Sequence, residues 1–118
     1  MKSSPNPLAR RASVTLERAA KEHDAPIWGT ASKAISAPSK NRVEVNIARI
    51  ARVSEQGQAL FVPGKVLGSG TLDKKVTVGA FSFSTSAKSK IEASGGSALT
   101  VAEFIKKYPD GGGVKLVE

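Results

Sequence analysis

The stretch 63–70, reading PGKVLGSG, is where residue types and spacing come nearest to chemistry. Gly64, Gly68 and Gly70 open backbone conformations and close approaches that a Cβ forbids. Exposed amides there, beside Lys65 and the hydroxyls of Ser69 and Thr71, suit a phosphate. A nucleotide P-loop needs Gly-x-x-x-x-Gly-Lys followed by Ser or Thr, and Lys65 follows Gly64 without the earlier glycine. The dinucleotide fingerprint needs a third glycine at position 73, which is Asp73. Both small-nucleotide readings fail on spacing. A turn between two strands and a contact to an RNA backbone remain.

Other chemistries are excluded by residue type. The chain has no Cys, so disulfides, thiolate metal sites and thiol catalysis are out. One His, His23, cannot build a His metal site and reads as a helix-terminal side chain. The carboxylates are scattered. Glu44 and Asp73 are expected to be partly buried, but nothing ties them together as an acid–base pair, and Ser69 has no nearby base. No enzyme activity, metal, cofactor or small-molecule substrate is expected. No run approaches the ~20 apolar residues of a membrane span, and the first eleven residues lack the apolar run of a signal peptide.

The dominant chemical fact is charge. Eighteen Lys and Arg against ten Asp and Glu give +8 on 118 residues. Residues 1–58 carry ten basic and five acidic side chains, including all six Arg, and residues 59–118 carry eight and five. Arg presents a planar fork of donors that matches phosphate, whereas Lys acts as a point charge. A basic surface weighted with Arg points to a polyanion, nucleic acid ahead of membrane.

The elements that must position these charges alternate. Residues 6–23 read as a helix, with Asn6 as cap and Pro7 in the first turn. Leu8, Ala9, Ala12, Leu16, Ala19 and Ala20 share one arc of it, and Arg10, Arg11, Arg18 and Lys21 the opposite one. A second helix follows Pro26, with Ile27, Ala31, Ala34 and Ile35 at helical spacing and Trp28 as a packing anchor. Residues 37–42 read as a loop. A short strand at 43–45 passes through Asn46, as N-cap, into a helix from 47 to about 55 that carries Arg49 and Arg52 outward. Strands at 59–62 and 75–83, apolar on both sides, belong inside a covered sheet. Helices at 84–94, stopped by Gly95 and Gly96, and at 100–107, with Thr100 and Glu103 as a capping box, precede a last strand at 114–117. Strands alternating with helices indicate an α/β domain with an aliphatic, Ala-rich core, preceded by a short flexible basic tail at 1–6.

Named nucleic-acid modules do not fit. There is no aromatic ribonucleoprotein motif on a strand, no KH loop between suitable helices, and no Cys for a zinc finger. A broad basic surface built from several elements favours the shape and phosphates of folded RNA over sequence readout in duplex DNA.

Three segments, KAISAPSKNRVEVNIARI (33–50), FVPGKVLGSG (61–70) and SAKSKIEASGGSALTVAEFI (86–105), resemble the large-subunit ribosomal protein eighteen family of archaea and eukaryotes. That family is related to bacterial large-subunit ribosomal protein fifteen. The first two segments are specific as a pair, and the third is shared more loosely with the bacterial relatives. The compact length and the intact PGKVLGSG look archaeal. The resemblance implies a single α/β domain over 7–118, built from irregular strand–strand–helix turns, and a non-catalytic role. It implies binding to large-subunit ribosomal RNA beside neighbouring ribosomal proteins, in the cytoplasm. The family pattern makes Lys40, Asn41, Arg42, Arg49, Lys65, Gly68, Ser69 and Gly70 the expected RNA contacts. Charge alone adds Lys74 and Lys75, and the helical arc adds Arg10, Arg11, Arg18 and Lys21. The alternatives are a free RNA-associated accessory or assembly protein and, from another class, a nucleotide-binding enzyme built on the glycine loop.

Overall fold

In chain order the elements are α1 (Pro7–Glu22), α2 (Pro26–Ser36), β1 (Val43–Asn46), α3 (Ile47–Val53), β2 (Ala59–Leu67), β3 (Thr77–Phe83), α4 (Thr85–Ala93), β4 (Ser97–Leu99), α5 (Val101–Lys107) and β5 (Val114–Leu116). The structure is a computed structural model that describes residues 7–36 and 43–118, with 7–9 described by backbone alone.

The apolar strand β2 organises the sheet. Its first residues pair with β5 (Ala59 with Val114) and its last with β1 (Leu67 with Asn46). β3 takes the other edge, Ala59 opposite Thr77, and β4 pairs beyond it. Every pairing is parallel. A parallel sheet needs both faces covered, and alternate residues sort accordingly. Leu60, Val62, Val78 and Ala80 meet Ile47, Ile50, Ala87 and Ile91, so α3 and α4 cover one face. Ala59 and Phe61 meet Leu16, Trp28, Ile35, Val101 and Phe104 beneath α1, α2 and α5.

The two cores differ in kind. The one under α3 and α4 is aliphatic, as the composition implies. The other concentrates the few aromatics: Trp28 meets Phe61 edge-on at 5.4 Å, and Phe104 lies 4.9 Å from Tyr108 between ring centroids. Such pairs add ~0.5–1.5 kcal/mol beyond their buried area. Trp28 is fully buried and its Nε1–H donates to the Pro109 carbonyl at 2.9 Å, tying α2 to the chain after α5. The buried face of α2 is Trp28, Ala31, Ser32 and Ile35, rotated from the expected one, with Ile27 and Ala34 half-buried.

Local chemistry sets the boundaries. Thr100 Oγ1 accepts from the Glu103 amide while Glu103 Oε1 accepts from the Thr100 amide, the expected capping box. Ser84 caps α4 through the Ala87 amide, and the amides of Gly95 and Gly96 donate to Glu92 and Ile91 carbonyls at its end. Asn46 does stand at the start of α3 in extended conformation, but its side chain makes no capping bond. Glu44 and Asp73, expected to be partly buried, are exposed, since Glu44 precedes the inward Val45 and Asp73 lies on a surface crossover.

That crossover is the main departure from the expected layout. β2 does not stop at Val62 but runs through Pro63 and Gly64 to Leu67, with a bulge against β3 between Val62 and Lys65. Pro63 is tolerated there because a bulge leaves an unpaired position for a residue without an N–H. Residues 68–76 must then return the length of β2 to begin β3 in parallel. Nine residues at ~3.3 Å each span roughly 30 Å, close to the length of a nine-residue strand, so the connection has no slack for a helix.

Candidate nucleic-acid interface

The basic arc of α1 is oriented by what lies beneath it. Leu16 and Ala19 are buried, and Ser13 Oγ lies 2.8 Å from Ser32 Oγ and 2.7 Å from Ser36 Oγ on α2. Apolar packing plus these hydroxyl bonds fix the rotation of α1, and Arg10, Arg11, Arg18 and Lys21 are left exposed. Arg10, Arg11, Val14, Thr15 and Arg18 line a shallow depression of about 450 Å³, an open surface of cationic forks around one exposed valine.

The second group lies over the opposite face of the sheet. Arg49 and Arg52 are exposed on α3, whose Ile47 and Ile50 are fully buried in the aliphatic core. The expected cations therefore do not form one patch. α1 and α3 sit on opposite outer layers, with the sheet between them. Lys65 is exposed on β2, and its neighbour Val66 faces the α3 and α4 side, so Lys65 projects to the other. Lys40, Asn41 and Arg42 lie outside the described residues, as does the tail 1–6.

The glycine loop is built as much from within as from without. A Cβ on Gly70, whose φ is +107°, would stand 2.5 Å from the Ala48 Cβ, and one on Gly68 would collide with Ser86 at the start of α4. The crossover thus passes tightly between the first turns of α3 and α4. The Ala48 amide donates to the Ser69 carbonyl at 2.9 Å. Lys90 Nζ on α4 donates to the carbonyls of Gly68 and Gly70, both at 2.6 Å.

Lys74 and Lys75, adjacent in sequence, part company in the fold. Lys74 Nζ donates to the carbonyls of Ala51 and Ser54 at 2.7 Å, closing the C-terminal end of α3, where a cation is favoured by the helix dipole. Its ammonium is committed to its own chain. Lys75 is exposed. Lys90 is not among the residues that charge or motif picks out. Its place immediately before the buried Ile91 and three after the buried Ala87 marks it as a border position of α4, which is the signal the sequence holds.

Among the described residues no group of His, Cys, Asp or Glu is arranged to hold a metal ion, and no helix is long and apolar enough to cross a membrane. One carboxyl departs clearly from its ordinary value. Glu103 is held below 4.5 by its hydrogen bonds to Thr100, backbone first and hydroxyl second, with Lys88 adding a smaller pull. That is a capping carboxylate, not a catalytic one.

Residues 32–99 match the model of a ribosomal protein family whose description names 50S-L15, 50S-L18e and protein 27A of the 60S subunit. The chain is 43% identical over 114 residues to large ribosomal subunit protein eL18 of Methanococcus maripaludis, covering 97% of this chain and 95% of that one. It is 40% identical over 116 residues to eL18 of Archaeoglobus fulgidus (98% and 97%) and 38% identical over 112 residues to eL18 of Methanoregula boonei (95% and 93%). With its glycine loop, its parallel sheet and its matched length together, the chain belongs to the eL18 family of large-subunit ribosomal proteins.

Proposed function

We propose that this protein is a non-enzymatic structural constituent of the large ribosomal subunit, in the cytoplasm, where it binds folded ribosomal RNA and adjoins other ribosomal proteins. One observation carries the RNA reading. The chain has a net charge of +8, and among the described residues no Lys or Arg is held in an ion pair. Cations left without carboxylate partners on two outer layers suit phosphates that approach from two sides. Arg10, Arg11, Arg18 and Lys21 serve one RNA segment. Arg42, Arg49 and the glycine loop serve another, with Lys40, Asn41, Lys65 and Lys75 as further contacts. The protein then acts as a spacer that neutralises phosphates where RNA helices converge, and it needs no reacting group to do so.

The test is retention. Large subunits washed at moderate salt are expected to keep this chain in stoichiometric amount, and Arg42→Glu with Arg49→Glu to be released at lower salt without loss of fold. Recovery of the wild-type chain only in the free fraction, with weak exchange among unrelated RNAs, would replace this reading with that of a free RNA-associated protein.

A further inference from the structure

The chain leaves β3 and β4 toward opposite faces of the sheet. After β3 it crosses through α4, whose Ala87 and Ile91 lie in the aliphatic core. After β4 it crosses through α5, whose Val101 and Phe104 lie in the aromatic one. Adjacent parallel strands connected in this way part at their carboxyl ends, and the crevice between them is where an open α/β sheet takes a ligand. Pairing of β3 with β4 ends at Gly79 and Leu99, and the crevice follows directly. It is a depression of about 350 Å³ walled by Phe81 of β3, Val101 and Ala102 of α5 and Ala12 of α1. Ligand pockets start at about that size, ~300–1,000 Å³. Phe81 is half-buried, whereas Phe61 and Phe104 of the same core are fully buried. One side of the rim is cationic. Arg11 and Thr15, one turn apart on α1, line this crevice and also the depression that holds Arg10, Val14 and Arg18. The two are therefore continuous across Arg11, and among the described residues no carboxylate lines either.

We propose that this crevice takes an unstacked base of single-stranded RNA, with Arg11 at its rim and Arg10 and Arg18 on the adjoining phosphates. This rests on the ribosomal-RNA reading for the identity of the strand, and adds a base site to a surface otherwise assigned to phosphates. A nucleotide joins a flat, largely apolar ring to an anion. The surface has the matching halves, apolar walls and guanidinium groups, and they meet at Arg11. An apolar side chain from a protein neighbour would fill the walls and leave the guanidinium groups without a partner. Bases splayed out of unpaired RNA lie against aromatic rings and Arg guanidinium planes, and the crevice offers Phe81 and Arg11. Two of its hydroxyls are engaged within their own elements. Thr15 donates to the Arg11 carbonyl at 2.9 Å, and Thr100 accepts from the Glu103 amide at 3.3 Å. Contact with the base face therefore outweighs reading of its edge, and the site tolerates any base.

The test sets a short unpaired RNA against an abasic sugar–phosphate chain of the same length and charge, both titrated into the full chain at constant ionic strength. The wild type is expected to bind the RNA at least about fivefold more tightly, the low end of what one stacked base contributes. In NMR the methyl groups of Ala12, Val101 and Ala102 should shift with the RNA and stay in place with the abasic chain. Ala102→Leu fills the crevice from an exposed helix position and should bring the ratio of the two affinities close to one. Equal wild-type affinities, base-dependent shifts confined to other residues, or an Ala102→Leu chain with the wild-type ratio would overturn the proposal. The wild-type comparison decides the matter even if Ala102→Leu does not fold. In a density map of the large subunit a base should occupy the crevice. A protein side chain there, with this chain retained, removes the base site and leaves the ribosomal reading standing. Base-dependent binding by a chain that large subunits fail to retain does the reverse.

Discussion

The ring of Phe104 on α5 occupies the space that a side chain on Gly79 of β3 would need. A Cβ placed on Gly79 would stand 2.8 Å from the Phe104 Cβ and closer still to its ring. Phe104 is fully buried and its ring packs between those of Phe61 and Tyr108, so it has nowhere to retreat. Gly79→Ala is expected to cost about 1–3 kcal/mol through overpacking. Gly29→Ala, in the body of α2 with only the Ala20 Cβ at 4.0 Å, is expected to gain about 0.5–1 kcal/mol by helix propensity. Urea unfolding followed by Trp28 fluorescence measures both, and equal effects would show that the sheet–helix contact is looser than described.

Adjacent lysines should separate stability from binding. Lys74→Met removes the ammonium that closes α3 on Ala51 and Ser54, and should cost roughly 1.5–3 kcal/mol, the range for hydrogen bonds to a charged group. Its RNA affinity should keep the wild-type dependence on salt. Lys75→Met should leave the unfolding free energy within ~0.5 kcal/mol of wild type and flatten the salt dependence instead. A flattened slope in Lys74→Met would return that residue to the RNA surface.

The acid limb of stability should carry a contribution from Glu103. Its carboxyl is lowered in the folded chain by the Thr100 bonds. A depressed carboxyl binds its proton more weakly when folded, so its stabilisation is present above the unfolded value and is lost as pH falls through the folded one. Glu103→Gln keeps a partner for the Thr100 amide but does not titrate. Its thermal midpoint should therefore fall less steeply than that of the wild type below about pH 4.5. Parallel curves would mean that the box contributes nothing through its charge.

Arginines on the two outer layers should act independently. Neutralising Arg10, Arg11 and Arg18 together to Gln, or Arg49 alone, should each reduce the slope of log affinity against log salt, by roughly 0.7–0.9 for every phosphate left without its cation. Because the sheet separates α1 from α3, the combined variant should show the sum within a few tenths of a kcal/mol. Strong coupling between the two sets would instead indicate one continuous RNA contact.

Much of the local structure is legible because it is governed by neighbours in sequence. The capping box at Thr100 and Glu103, the stop at Gly95 and Gly96 and the basic arc of α1 follow from residue spacing alone. Less of the candidate site is. Pro63 and Gly64 read as the start of a turn, whereas the pairing of β2 with β1 and β3 carries the strand through them as a bulge. Lys74 reads as surface charge, yet the crossover lays it against the end of α3. The hold of Lys90 on the glycine loop is invisible in sequence because its partners, Gly68 and Gly70, lie about twenty positions earlier.

The sequence by itself determined the kind of protein. Three segments carry the pattern of the family, and eighteen Lys and Arg against ten Asp and Glu fix the net charge of +8. The tertiary structure alone decided where those cations go. Charge is a property of composition, but the direction in which it points depends on which face of each element is buried. That is settled only when a parallel sheet, apolar on both sides, requires helices on each. The same requirement puts α1 and α3 on opposite outer layers and turns Lys74 and Lys90 inward to carbonyls.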